Sequence, residues 1–247
     1  MNSKRLAAIS LGHFAIDILN SSVVIILTSV TTQQNMGYSK VGLGAMIYTF
    51  AASLSQPFFG LLADRLRGRW LAAVGLLRTM IFYAAASFTE SYAALVAVLT
   101  VGALGSGAFH PTGIVNAGDA GGARPATATS VFFLLGQTGL SLGPFISGLV
   151  LQRMGMAGLP YIALAMTPAL IFMFWALQAP MAEEDPGDAA RRRGAKAAAG
   201  AGVIALFLLL VILRSTTLQS YMTLLPRYFA DQGFTSGQYG LMVSIFT

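Results

Sequence analysis

The chain has no cysteine. That excludes a disulfide framework, a thiol nucleophile and a thiolate-bound metal. Charge is scarce as well: Asp, Glu, Lys and Arg make up 10% of 247 residues, against about a quarter in a soluble domain. So few charges cannot clothe a domain in water. Histidine occurs twice, as His13 and His110. Two histidines without ligand spacing make no zinc motif, and HExxH is absent. No Gly-Lys-[Ser/Thr] loop is present to hold a nucleotide. Neither a metal nor a cofactor is expected. Ser106 and His110 lie four residues apart with no third orienting group evident, so the chain is not expected to be an enzyme.

What fills the chain instead is apolar: 55% hydrophobic residues and a mean hydropathy of +0.70. A bilayer-spanning helix needs about 20 mainly apolar residues. Such spans fall at 6–28, 41–63, 70–89, 92–113, 126–151, 158–178 and 202–228, and another starts near Gln238. The last stretch, "GLMVSIFT", carries no cap or polar tail, so the sequence is expected to belong to a longer protein whose eighth helix is cut.

The net charge of +6 would suggest nucleic acid in a soluble protein. Here the bases sort by alternate loops. With the N-terminus inside, the inner segments hold ten: Lys4, Arg5, Arg65, Arg67, Arg69, Arg124, Arg191, Arg192, Arg193 and Lys196. The outer segments hold three: Lys40, Arg153 and Arg227. This is the positive-inside bias of a multi-pass protein of the cell (inner or plasma) membrane with a cytoplasmic N-terminus. The expected surroundings are lipid, and nucleic acid is not expected as a partner.

Residues 179–201, rich in Ala, Gly, Pro and charge, read as a solvated cytoplasmic linker. It separates a six-helix domain, 1–178, from an incomplete second one, 202–247. Within the first, "PFFGLLADRLRG" from Pro57 and "PFISGLVLQRMG" from Pro144 share Pro-Phe, Gly-Leu, Arg and Gly once gaps are allowed. They end the second and fifth spans on opposite sides. That relation fits two inverted three-helix repeats.

Polar residues inside spans are costly and point to function. In the first span His13, Asp17 and Asn20 share one helix face. Asp17 reads either as a proton carrier in a cavity or as a member of a packing network. In the fourth span Gly102, Ser106 and His110 are spaced by four and Pro111 follows, so His110 is either a titrating group or a hydrogen-bonded histidine beside a kink. Gly102, Gly105 and Gly107 permit close helix approach. In the fifth, Gly136, Gly139, Gly143 and Ser147 make a smooth seam, and Pro144 adds a bend. In the seventh, Arg214, Thr217 and Tyr221 form a polar face. Arg214 either faces a cavity or pairs with an acid such as Asp17. Asn20, Gln137, Arg214, Thr217 and Tyr221 are the candidate substrate-cavity residues. Arg78 is expected to snorkel to the inner headgroups, and Asp119 and Asp231 to be solvated.

The turn "GLLADRLRGRW" resembles the signature between the second and third helices of the major facilitator superfamily. Gly60, Asp64 and Arg65 match it directly, and Gly68 and Arg69 arrive one residue late because Arg67 is extra. "GLSLGPFISG" is similar to the antiporter-type signature of the fifth helix through Gly139, Gly143, Pro144 and Gly148. "ISLGHFAIDILNS" and "GSGAFHPTG" resemble the fosmidomycin-resistance type of efflux proteins within that superfamily; where an acid is expected after Pro111 stands Thr112. The resemblance implies an all-α polytopic helix bundle in which the chain supplies the N-terminal half and the start of the C-terminal one. It implies proton-coupled efflux of small drug-like molecules by alternating access. Asp17, His13 and His110 would carry the proton and Gly60–Arg69 would gate the cytoplasmic side. The competing expectation is a truncated or degenerate half-transporter that does not transport, or works only as an oligomer.

Overall fold

The structure, a computed structural model, describes residues 1–66, 70–178 and 201–246. Among the described residues there are nine α-helices and no strand. They are α1 (Ser3–Gln33), α2 (Tyr38–Leu66), α3 (Leu71–Ala85), α4 (Tyr92–Gly121) and α5 (Pro125–Met154), then α6 (Leu159–Ala165), α7 (Thr167–Ala176), α8 (Ala201–Asp231) and α9 (Ser236–Phe246). Among the described residues, six helical runs are long and apolar enough to cross a membrane. The run 125–176 holds α5 to α7 and, at about 20 residues per crossing, suffices for two. The chain is thus a multi-pass, all-α membrane protein. Helices are the expected answer to a solvent without hydrogen bonds, because each satisfies its own backbone.

Local chemistry sets the helix ends. The Asn2 side chain accepts from the Arg5 N–H at 3.1 Å and starts α1. Ser91 accepts from the Ala94 N–H at 3.2 Å and starts α4. Gly122 and Gly155, at φ 55° and 59°, stop α4 and α5 in a conformation that side chains disfavour. The sixth span, expected to be continuous over 158–178, is instead two short helices that meet at Met166. Pro168 lies in the first turn of α7 and has no N–H to bond back across the junction, so the helix restarts there.

α1 is the axis of the bundle. In its most apolar stretch 78% of residues are buried, against 11% for α2. α1 packs chiefly on α5, and α4 packs on α2 and α3. Exchanging the first and fourth helices, and the second and fifth, maps the α1–α5 packing onto α4–α2. That is the exchange an inverted three-helix repeat requires. Pro57 and Pro144, the anchors of the sequence repeat, both lie inside their helices.

Glycines make the crossings close. A Cβ on Gly75 would strike the Gly105 carbonyl, and one on Gly105 would strike that of Gly75, so α3 and α4 touch backbone to backbone. Gly102 faces Phe82, and Gly107 faces Ser55 and Ala52 of α2. Arg78, expected to snorkel, donates from Nε to the Val101 carbonyl of α4 at 3.0 Å, a partner within reach across this close crossing.

Each end of the bundle is tied by an arginine. At the end holding the N-terminus, Arg5 donates through Nε and Nη2 to Asn116 Oδ1 at 3.1 and 2.7 Å, and its Nη1 lies 3.5 Å from Asp119. The Asn2 N–H donates to the Ala120 carbonyl beside it. Lys4 lies over the Trp175 ring near the end of α7. At the other end, Arg227 of α8 donates to Asp231 at 2.8 Å and to Thr31 of α1 at 3.3 Å. Asp119 and Asp231 are therefore paired rather than merely solvated, because each lies within reach of a guanidinium. The expected linker, 179–201, lies outside the described residues except for its last position.

Two glycine substitutions separate close packing from helix propensity. Gly105→Ala should lower stability by about 1–3 kcal/mol through overpacking. Gly42→Ala, with nothing within 4 Å of the new methyl, should be neutral or stabilising by up to about 1 kcal/mol. Thermal unfolding of the two variants in one detergent measures the difference; equal melting would remove the backbone-contact argument.

Candidate functional site

A carboxylate in the middle of a membrane helix costs at least about 2.5–3.5 kcal/mol unless it finds partners. Asp17 lies near the middle of α1 and is 4% exposed. Its partners come from one turn in each direction and from a second helix. His13, one turn earlier, brings Nε2 to 3.1 Å from Oδ2. His110 of α4 brings Nε2 to 3.3 Å from Oδ1. Asn20 donates from Nδ2 to Oδ1 at 3.1 Å.

The network continues outward. Asn20 Nδ2 also lies 3.0 Å from Ser106 Oγ, and Asn20 Oδ1 accepts from Tyr48 of α2 at 2.7 Å. Side chains from α1, α2 and α4 thus converge on one carboxylate. α5 closes the site through its backbone: His13 Nδ1 is 2.8 Å from the Phe132 carbonyl, and its ring stacks on Phe132 at 3.9 Å. Gly136 makes room for that ring, since a Cβ there would fall among the imidazole atoms. The spacing rule in the sequence found this face of α1. The role of Gly136 was visible only as part of a seam.

Asp17, His13 and His110 are therefore brought together, with Asn20. The alternative partner, Arg214, is not at Asp17. Arg214, Thr217 and Tyr221 share one face of α8 with Leu210 and Leu218, but that face is exposed and stands apart from the cluster. Gln137 is exposed on α5. Ser106 and Tyr48 complete the network; the sequence marked Ser106 by its spacing, and no pattern marked Tyr48.

Two readings of the chemistry can be tested on this geometry. The sequence offers His110 and Ser106 no orienting third group, but the fold supplies one, because Asp17 holds His110 Nε2. The arrangement still does not make Ser106 a nucleophile. His110 Nδ1 lies 2.9 Å from the Ser106 carbonyl, which can only accept, and 3.3 Å from Ser106 Oγ. Nδ1 must carry the proton and has no lone pair to act as base toward Oγ. Second, the donor atoms of His13, Asp17 and His110 lie within 4.8 Å of one another, close enough for one ion. The ring-to-carboxylate contacts are also direct and within hydrogen-bond reach, so protons can bridge them.

Of the expected gate residues, Gly60 leaves room for a Cβ, which would come no nearer than van der Waals distance to Pro111 of α4, and Arg65 is exposed. Gly68 and Arg69 lie outside the described residues, as does the Asp64 side chain. The seam on α5 divides in two. Gly136, Gly139 and Gly143 seat His13, Phe14 and Ile18 of α1. Gly148 and Pro144 meet α9 instead: Gly148 faces Ser236, and the Pro144 carbonyl faces Gly240. The Phe145 N–H, just past Pro144, donates to Ser244 Oγ at 3.0 Å. Ser141 Oγ donates to the Ser244 carbonyl at 2.9 Å.

The family profile described as Major Facilitator Superfamily matches residues 9–247. The fosmidomycin resistance protein of Escherichia coli (strain K12) is 26% identical over 168 residues, 68% of this chain and 41% of that protein. An uncharacterized MFS-type transporter, YfnC, of Bacillus subtilis (strain 168) is 24% identical over 170 residues, 69% of this chain and 42% of its own length. The chain thus matches about two-fifths of the length of these relatives. A solved structure of a peptide transporter, POT (E310Q mutant, in complex with sulfate), superposes with a TM-score of 0.55 at 22% identity. That match covers 91% of this chain and 51% of the other and speaks to the fold.

The seat for His13 is testable by a double-mutant cycle. Gly136→Ala should destabilise by about 1–3 kcal/mol through overpacking against the imidazole. In a His13→Ala background the same change should cost clearly less, because the ring it strikes is gone. Denaturation of the four proteins in detergent reads the coupling; strict additivity would mean that Gly136 does not seat His13.

Proposed function

The chain belongs to the major facilitator superfamily of membrane transporters, and from that premise we propose that it works in proton-coupled efflux of small drug-like molecules by alternating access. The observation that carries the reading is the His13–Asp17–His110 cluster: a carboxylate near the middle of the most buried helix, held by two titratable rings from two helices. Protonation changes the charge of such a site, and with it the cost of moving the site between wet and dry surroundings. His110, with 29% of its side chain exposed against 5% for His13, is the member open to the surroundings.

Asn20, Ser106 and Tyr48 give substrate hydrogen-bonding groups next to that carboxylate. Gln137, Arg214, Thr217 and Tyr221 are assigned to the wider substrate path on the basis of their polar positions within spans. The likeness to the fosmidomycin resistance protein supports efflux of a small molecule as the direction of transport.

The helix contacts suggest how the site changes access. α8 and α9 touch the first six crossings at the end away from the N-terminus, through Arg227–Thr31 and the α5–α9 glycine contacts. Smooth backbone faces at Gly148 and Gly240 let α5 and α9 rock once the serine hydrogen bonds at Ser141, Ser236 and Ser244 give way. Residues 60–69 act as the gate at the opposite, cytoplasmic end, with the N-terminus on the same side.

The test is transport by the complete protein in proteoliposomes, with fosmidomycin as the first substrate offered. Efflux should follow an imposed pH gradient and stop when the gradient is collapsed. Asp17→Asn should abolish gradient-driven transport by at least about tenfold while membrane insertion and melting stay normal. Normal coupled efflux in that variant would remove Asp17 from the mechanism, and efflux indifferent to pH would remove proton coupling itself.

A further inference from the structure

The hydrogen-bond geometry of the cluster counts its protons. Each imidazole has its Nδ1 against a backbone carbonyl: His13 against Phe132 at 2.8 Å, His110 against Ser106 at 2.9 Å. A carbonyl oxygen only accepts, so each Nδ1 carries a hydrogen. Both Nε2 atoms then face the same carboxylate, one on each oxygen, at 3.1 and 3.3 Å. With neutral rings and an ionised Asp17, both contacts would set a lone pair against a lone pair. One proton satisfies one contact and leaves the other repulsive. Two protons satisfy both.

We infer that the cluster is a two-proton store, in which His13 and His110 each lend an Nε2 hydrogen to one oxygen of Asp17. The inference rests on the proton-coupling reading above and adds its capacity. Emptied, the cluster carries the single negative charge of Asp17; filled, two imidazolium rings around one carboxylate leave a single positive charge. Asp17 Oδ1 accepts from Asn20 in both states, so the carboxylate keeps its place as protons leave. The groups that face the cluster from other elements do not compete for its protons. α2 brings Tyr48, which donates to Asn20 Oδ1. α4 brings Ser106 beside His110. α5 brings the Phe132 carbonyl, the Phe132 and Phe133 rings and Gly136, none of them titratable. The more exposed ring, His110, is the door, and His13, walled in by Phe109 and Phe132, is the inner seat. This swing of two charge units makes an emptied cluster a strong attractor for hydrogen-bond donors or a cationic group on a substrate.

The chain's two histidines make the test direct. The full chain, labelled with 15N at histidine, is placed in lipid bilayers with a metal chelator, and nitrogen NMR is recorded across pH. In acid both rings should be protonated at both nitrogens; as pH rises both should lose the Nε2 hydrogen and keep that on Nδ1. In Asp17→Asn the side-chain amide offers one acceptor and one donor, so only one ring should keep its Nε2 hydrogen at a pH where both do in the parent protein. A ring that stays neutral wherever the protein is folded, or one that loses Nδ1–H instead, overturns the store. So would rings that respond to pH only when Zn2+ replaces the chelator, which would make the cluster an ion site. Two titrating rings in a protein whose efflux ignores the pH gradient would uphold the store and reject the transport reading. One titrating ring with gradient-driven efflux would do the reverse.

Discussion

One carboxylate organises the centre of this molecule. Asp17 sits where lipid would surround a spanning helix, and an ionised group there is affordable only inside protein. That requirement fits the position of α1 as the bundle's axis, its most apolar stretch far more buried than that of α2. It also sets which helices must come close. α4 has to deliver His110, α2 has to deliver Tyr48 to Asn20, and α5 has to accept His13 against its backbone. Each approach is made through small residues: Gly107 where α4 meets α2, and Gly136, Gly139 and Gly143 where α5 meets α1. The glycine seam and the buried charge are two sides of one constraint. Without the seam the imidazole has no room, and without the imidazole the carboxylate loses a partner.

Much of this is legible in the sequence because the bilayer imposes strict rules. Length and hydropathy locate the crossings. A polar face at i, i+3 and i+4 singles out His13, Asp17 and Asn20. Helical spacing likewise marks Ser106 and His110. What spacing cannot supply is the partner across a helix interface. His110 lies 93 positions beyond Asp17, and only the packing of α4 on α1 brings the two together. Asp119 looked solvated because it lies near a helix end; the fold brings Arg5 to it from the other end of the chain's first four helices. The break at Met166 was hidden for a different reason. Proline in the first turn of a helix is ordinary, so Pro168 signals a restart only once a helix is known to precede it.

The polar face of α8 shows the opposite limit. Its spacing is as regular as that of α1, yet Arg214, Thr217 and Tyr221 meet none of the cluster residues. Periodicity reports that residues share a face; it does not say what the face meets. For α1 the answer lies within the first six crossings, and the fold contains it. For α8 contact with those crossings is concentrated in its last third, where Arg227 reaches Thr31. The two arginines that tie the ends of the bundle differ in the same way. Arg5 binds α1 to α4 inside the first six crossings, whereas Arg227 binds α8 across to α1.

The division of α5 follows from these demands. Its first half brings the Phe132 carbonyl and the Gly136 seat to His13. Its second half meets α9 through Gly148, Gly240 and the Pro144 carbonyl, a contact of backbone on backbone with few interlocking side chains. Pro144 lies where one half passes into the other, and the Phe145 N–H beside it is already engaged by Ser244 of α9. The imidazole seat lies before the proline and most of the α9 contact beyond it. α5 thus seats the imidazole with its first half and meets α9 with its second. The glycine-proline spacing of "GQTGLSLGPFISG" encodes both tasks in a single helix.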